Sequence, residues 1–480
     1  MRISVVLRYM GAVMLCVSAF MTLSAIISYI GHDSGFYPLL LSALLTLMLG
    51  IFPMIFVPKT TNISNKEGFT IVVGSWLVSC IVGMFPYLIW GGEFSAINAW
   101  FESVSGFTTT GASILTNIEA LPRGLLFWRS ATCWMGGAGV VMFALLILPS
   151  LGANKAALSS IELSALAKDN YRYRSQVIVR ILLVVYVGLT VITTLLFKFA
   201  GMDWWDALNH SMSVCATGGF STRNSSLGYF DSGLIETIAI VAMFLSSIHF
   251  GLIYATFTRK SNNIFRSEVV RTYIGIIFFV SIAIAISLRL ANIVPDIFVS
   301  LRQSFFQVVS AISTTGLATA DTNLWTPLAI VLLIFISIVC GCAGSTSGGL
   351  KVDRLLLFGK VFRSRIRQQQ HPNAIFRVRV DGSVQEEKQM NMVMVFISTY
   401  FFLILLGTFT ATIFGQDLLT AFSSAVSCIG NVGPGFGEVG SMSNFAEVPT
   451  VLKFQDTILM LMGRLEIFGF IQFIFLKFWR

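Results

Sequence analysis

Ser105-Gly-Phe-Thr-Thr-Thr-Gly111, Ser213-Val-Cys-Ala-Thr-Gly-Gly219, Ser310-Ala-Ile-Ser-Thr-Thr-Gly316 and Ser427-Cys-Ile-Gly-Asn-Val-Gly433 are four versions of one short pattern. In each, a serine stands six positions before a glycine. The glycines follow one another at 108, 97 and 117 residues. A repeat of this kind sets the architecture and is read before anything else. Four such loops in one very apolar chain imply a pseudo-fourfold ring around an ion path. The second loop offers two glycines, Gly218 and Gly219, and the serine register selects Gly219.

The surrounding composition is that of an integral membrane protein. Of 480 residues, 55% are hydrophobic and 11% charged, where a soluble domain carries about 25% charged residues. Mean hydropathy is +0.80. The net charge of +9 does not point to nucleic acid, because the basic residues sit in particular loops. Seven cysteines, an odd number without framework spacing, argue against structural disulfides. With four His, no metal-ligand cluster and no nucleophile–base motif, the chain does not read as an enzyme and calls for no organic cofactor.

A membrane-spanning helix needs about 20 apolar residues. Runs near that length lie at roughly 9–31, 34–58, 68–92, 130–154, 181–197, 237–258, 272–288, 322–350 and 389–416. A tenth, roughly 454–478, is interrupted by Asp456, Arg464 and Glu466. Arg2, Arg8, Lys59, Lys66, Lys155, Lys168, Arg172, Arg174, Arg259, Lys260, Arg266, Arg271, Lys351, Arg354, Lys360, Arg363, Arg365, Arg367, Lys477 and Arg480 all fall on one face of a ten-span arrangement. The positive-inside rule makes that face, and both termini, cytoplasmic. The glycine loops fall in the opposite connections, each led by an apolar stretch too short to span, such as 94–107 or 295–312. The fold class that follows is an all-α polytopic membrane protein. Four pseudo-symmetric units of helix, pore helix, glycine loop and helix surround one pore, behind an N-terminal two-helix prefix. The boundaries are 1–66 for the prefix, 67–155, 176–258, 270–360 and 392–480 for the four units, and 361–391 for a cytoplasmic loop. Asp381-Gly382 within that loop reads as a hairpin turn.

Irregular backbone at membrane depth is tolerated where protein buries it or water reaches it. Rings of backbone carbonyls can replace the water around a potassium ion. The candidate cation filter is therefore Thr109-Thr110-Gly111, Thr217-Gly218-Gly219, Thr314-Thr315-Gly316 and Asn431-Val432-Gly433. The alternative is that these glycines only let helices pack closely. Gly344, Ser345, Thr346, Ser347, Gly348 and Gly349 predict an unwound segment inside span eight, since each glycine costs about 1 kcal/mol in a helix interior. A glycine-rich end of that span is the plainer reading. Gly344 to Gly349 lacks the lysine of a phosphate-binding loop, and Gly435-x-Gly437-x-x-Gly440 follows no strand, so neither reads as a nucleotide site. Arg464 lies inside span ten, where a charge is costly and faces a cavity or a partner. It either projects beneath the filter or forms a structural salt bridge. His249 reads as a packed core histidine, Arg129 as an arginine snorkelling at the end of span four, and Glu102 as either a cation attractor or a structural group. No unpaired acid at mid-depth stands out.

The chain resembles the Trk/Ktr/HKT superfamily of potassium transporters, and within it the bacterial TrkH/TrkG subfamily. The residues that carry the resemblance are Thr-Thr-Gly-Ala at 109–112, Gly-Gly-Phe-Ser-Thr at 218–222, Thr-Thr-Gly-Leu-Ala at 314–318 and Gly-Asn-Val-Gly-Pro-Gly-Phe-Gly at 430–437. Gly-Cys-Ala-Gly-Ser-Thr-Ser-Gly-Gly-Leu-Lys at 341–351 and Gly-Arg-Leu-Glu at 463–466 add to it. The resemblance implies potassium uptake across the bacterial cytoplasmic membrane, with residues 344–349 and Arg464 as the gate and Gly111 as the mark of potassium preference. It also implies a homodimer with a pore in each subunit, and a cytosolic nucleotide-binding ring of the TrkA type as regulator. Proton- or sodium-coupled symport through the same pore is the alternative.

Overall fold

The computed structural model describes residues 1–58, 63–147, 175–258, 264–374 and 376–475. Lys59, Lys155, Lys168, Arg172, Arg174, Arg259, Lys260, Lys477 and Arg480, expected to mark the cytoplasmic face, lie outside the described residues.

The protein is nearly all helical. The prefix is α1 (Ile3–Ile30) and α2 (Phe36–Phe56). They cross where Gly11 and Gly50 meet: a Cβ on either would fall within 3.0 Å of the other's carbonyl oxygen. Small residues at such crossings let backbones approach in lipid. Next come α3 (Asn65–Gly83) and α4 (Phe85–Trp90), then the short α5 (Ala96–Phe107) and the long α6 (Arg123–Ile147). The second unit holds α7 (Ser175–Phe199), short α8 (Trp204–Ala216), α9 (Gly233–Ser246) and α10 (Phe250–Phe257). The third holds α11 (Glu268–Leu290), short α12 (Ile297–Ile312), α13 (Pro327–Val339) and α14 (Val352–Gln370). A two-stranded hairpin, β1 (Arg379–Val380) with β2 (Ser383–Val384), leads to α15 (Glu387–Ile413), short α16 (Leu418–Gly430), α17 (Thr450–Arg464) and α18 (Ile467–Ile474).

Three expected spans are broken. The run at 237–258 is α9 and α10, bent by 102° at Ser247–His249. The run at 454–478 is α17 and α18, bent by 112°, with Glu466 at φ 55° and its carboxylate 2.5 Å from Arg354. The run at 322–350 is helical only through Val339, and 340–351 has no regular structure, which includes the unwound segment expected from Gly344 to Gly349. Hydropathy registers apolar length and is blind to a break that other parts of the protein satisfy. Residues 352–370, expected partly as loop, are helix α14. The expected hairpin is present, with Asp381 and Gly382 both at positive φ in its two-residue turn.

Four short helices carry the glycine loops. Each begins on a side chain that accepts a backbone N–H: Ser95, Asp203, Asp296 and Asp417 cap α5, α8, α12 and α16. Such caps satisfy donors that a helix start leaves unpaired. The C-terminal halves of these helices are buried, so their ends, and the loops that follow, meet at the centre of the molecule.

Candidate functional site: a ring of glycine loops above a buried plug

All four short helices end the same way. The N–H of Thr110, Gly218, Thr315 and Val432 donates to the carbonyl of Ser105, Ser213, Ser310 and Ser427, at 2.9 Å in every case. The preceding residue, Thr109, Thr217, Thr314 or Asn431, donates to the carbonyl three positions back and stands at φ 54–59°. This pair of bonds is the Schellman ending, whose left-handed position usually holds glycine. Threonine there is a true outlier for a β-branched residue, a strain of about 1–3 kcal/mol that surrounding structure must hold. The serine of the repeat thus marks the last full turn of each helix. Its hydroxyl braces the loop in two cases: Ser310 Oγ donates to Leu317 O (2.6 Å) and Ser427 Oγ to Gly433 O (2.7 Å).

Two residues further on, Gly111, Gly219, Gly316 and Gly433 have φ of 80°, 74°, 74° and 104°. The contacts these glycines make form a closed circuit. A Cβ on Gly111 would strike Gly218 O, one on Gly219 would strike Thr315 O, one on Gly316 would strike Val432 O, and one on Gly433 would strike Thr110 O. Each glycine therefore faces the carbonyl that precedes the next glycine, round all four loops. The circuit runs through Gly219, in agreement with the serine register. The four glycines together line one depression, which Ser221, Ser226, Ser441, Arg129 and Arg223 also line.

Behind the ring, a side chain nine residues before the glycine braces the outgoing strand in three of the loops. Glu102 accepts from Ile114 N (3.1 Å) and Ser113 Oγ (3.0 Å). His210 Nε2 lies 2.9 Å from Ser221 Oγ, and Gln307 Nε2 donates to Ala320 O at 3.4 Å. In the fourth loop Ser423 does this work, donating to Phe436 O and accepting from Phe436 N. Arg129 is not snorkelling. It is 1% exposed, pairs with Glu102 at 2.8 Å and donates to Ser221 O at 3.1 Å. The Glu102–Arg129 pair therefore ties loop one to loop two. A buried charge needs such pairing to be tolerable.

On the other side of the ring lies segment 340–351, buried from Cys340 to Leu350. Gly348 N donates to Thr314 Oγ1 at 3.0 Å, and a Cβ on Gly348 would fall 2.7 Å from Asn431 Oδ1 and Gly430 O. Thr346 Oγ1 lies 3.2 Å from Cys215 O and 3.1 Å from Ser246 O. This plug sits directly against the ends of α8, α12 and α16. Its own backbone is satisfied by the break in span six: Cys342 N donates to Ser247 O (2.9 Å), and Phe250 N donates to Gly344 O (3.1 Å). His249, half-buried, accepts from Gly251 N as the cap of α10, so it is part of that break rather than core packing. Arg464 Nη1 donates to Thr346 O at 2.5 Å and Nη2 to Gly136 O at 2.9 Å. The salt-bridge partner of Glu466 is Arg354.

Sequence reasoning missed Ser246–Phe250. The signal was the polar run Ser246-Ser247 with His249 inside an apolar span. Asp456, read from the sequence only as an interruption of the tenth run, is buried on α17 with Ser424 Oγ at 3.3 Å from its carboxylate. The described residues hold no cluster of three metal-ligating side chains, and their cysteines are unpaired.

The profile of the family TrkH, cation transport protein, matches residues 45–477. The chain is 33% identical to the Trk system potassium uptake protein TrkH of Escherichia coli K12 over 486 residues, covering all of both chains. It is 34% identical to TrkG of the same organism over 428 residues, 87% of this chain and 86% of the relative. The crystal structure of the potassium transporter TrkH from Vibrio parahaemolyticus superposes with a TM-score of 0.90, at 30% identity and complete coverage of both chains. With ring, plug and whole-chain similarity in agreement, the chain belongs to the TrkH family of cation transport proteins.

Proposed function

We propose that this protein takes up potassium across the bacterial cytoplasmic membrane, through a filter formed by Thr109–Gly111, Thr217–Gly219, Thr314–Gly316 and Asn431–Gly433. The observation that carries the reading is the closed circuit of glycines against carbonyls. A circuit of four backbone carbonyls, from Thr110, Gly218, Thr315 and Val432, each beside a glycine without a side chain, can replace the water shell of a desolvated cation. Transport is downhill, driven by the membrane potential at about 2.3 kcal/mol per charge per 100 mV. Segment 344–349 is the gate, and Arg464 holds it closed and repels cations beneath the filter. The basic connections and both termini face the cytoplasm. The resemblance adds a homodimer with a pore in each subunit and a TrkA-type regulatory ring as partners, with no nucleic acid and no organic cofactor.

A second reading, proton- or sodium-coupled symport, is favoured by one observation: the buried carboxylate of Asp456 behind the fourth short helix. Intramembrane acids are where coupling ions bind. The deciding experiment is cation flux into liposomes, comparing potassium, rubidium, sodium and lithium under an imposed negative interior potential. Potassium and rubidium flux above sodium, driven by potential alone, supports the selective pore. Flux that requires a proton or sodium gradient, and loses it in Asp456→Asn, replaces the pore by the symporter.

A further inference from the structure

A narrow crevice runs between the prefix and the pore. It is lined by Val13, Cys16 and Val17 of α1, Trp76 of α3, Phe107 at the end of α5, and Gly136 of α6. The lining is almost wholly apolar. Cys16 is half-buried and every other lining residue is buried, so the mouth is at Cys16. Leu23, seven residues further along the same face of α1, is exposed.

Three of these residues also belong to the site. Gly136 O is the acceptor of Arg464 Nη2. Gly136 also lies so close to α5 that a Cβ on it would strike Phe107 O. Phe107 is two residues before the left-handed Thr109. The Trp76 ring centroid lies 5.8 Å from the Arg464 guanidinium carbon. Whatever fills the crevice therefore backs the stretch of α6 that anchors Arg464.

We infer that the crevice is a binding site for the end of a lipid acyl chain from the surrounding bilayer, and that the bound chain steadies the Arg464–Gly136 contact. The occupant is a hydrocarbon chain for two reasons. The polar groups on the lining are few, the Ser79 hydroxyl and the Trp76 indole N–H, and a void left unfilled forfeits the dispersion contacts of its walls. The mouth lies on the face of α1 that also exposes Leu23, which the bilayer would cover. The site itself stands independently of the transport reading; its effect on flux rests on that reading.

The test uses the full chain in liposomes containing lipids brominated along the acyl chain, which quench nearby tryptophan. The Trp76 signal is the difference between wild type and Trp76→Phe. Cys16→Phe closes the mouth, and Cys16→Ser is the conservative control. The expected result is at least twofold stronger quenching of Trp76 in wild type and Cys16→Ser than in Cys16→Phe. Rubidium leak in plain lipid should rise at least twofold in Cys16→Phe alone. Equal quenching with the mouth open and closed overturns the lipid site. Lost quenching with unchanged leak overturns its link to Arg464, and leaves the filter reading untouched.

Discussion

The guanidinium of Arg464 bridges two carbonyls from distant parts of the chain: Thr346 O at 2.5 Å and Gly136 O at 2.9 Å. One belongs to the plug and the other to α6 of the first unit. Arg464 thus fastens a loop of unit three to a helix of unit one from its own place in unit four. Hydrogen bonds from a charged donor contribute about 1.5–3 kcal/mol each. Replacing Arg464 with Ala removes both, along with the positive charge. Basal rubidium flux into liposomes is expected to rise about tenfold or more, since each ~1.4 kcal/mol is worth a factor of ten. Unchanged flux in a folded Arg464→Ala protein would sink the gate role.

Gly316→Ser tests the ring. A side chain at this position meets a positive φ and also Val432 O of the next loop. Thr314 tolerates its own positive φ, so the collision with the neighbouring carbonyl is what decides the outcome. Strain of about 1–3 kcal/mol in the proposed filter should lower potassium flux about tenfold and reduce the preference for potassium over sodium. Flux ratios measured on one preparation read both effects. A variant with wild-type selectivity would show that Val432 O does not bind the ion.

Breaking the Glu102–Arg129 pair should show first in stability. Removing one partner of a buried pair costs about 3–5 kcal/mol. Arg129→Ala is therefore expected to lower the thermal midpoint of the detergent-solubilised protein clearly. Glu102→Gln should be milder, because the amide oxygen still accepts from Ile114 N. Equal midpoints for Arg129→Ala and wild type would mean that the pair contributes nothing to the fold.

Asp417 gives a pH signature. The Thr420 side chain, and the N–H groups of Thr420 and Leu419, hold its carboxyl below the usual carboxylate range. A folded value below the unfolded one stabilises the protein above the unfolded pKa of about 3.9, and that contribution is lost as pH falls through the folded value. Asp417→Ala should cost about 1 kcal/mol at neutral pH, the usual loss for an N-cap. The gap from wild type should narrow as pH is taken below 4. A gap independent of pH would assign the loss to packing instead of the charged cap.

Much of this arrangement was legible from residue order. The four serine–glycine intervals point to four equivalent loops, because the Schellman ending needs a fixed number of residues between its last turn and its left-handed position. Plain apolar runs reveal the uninterrupted helices α1, α2, α11 and α15. The break at Cys340–Lys351 was announced by its run of glycines, but those at Ser246–Phe250 and Leu465–Glu466 were harder to see, because they lie in apolar stretches and are stabilised by partners remote in the chain. Arg129 looked like an interfacial residue because its partner, Glu102, is 27 positions away on another helix.

By itself the sequence determined an all-helical membrane protein with four glycine loops in one register, since periodicity, hydropathy and backbone freedom are local properties. Tertiary structure alone decided that each glycine meets the carbonyl before the next, that the break in span six satisfies the plug, and that Arg464 reaches Thr346 and Gly136 while Glu466 reaches Arg354. These are contacts between segments about a hundred residues or more apart. Their geometry is set by how the four units close on one another, and short-range pattern carries no record of that closure.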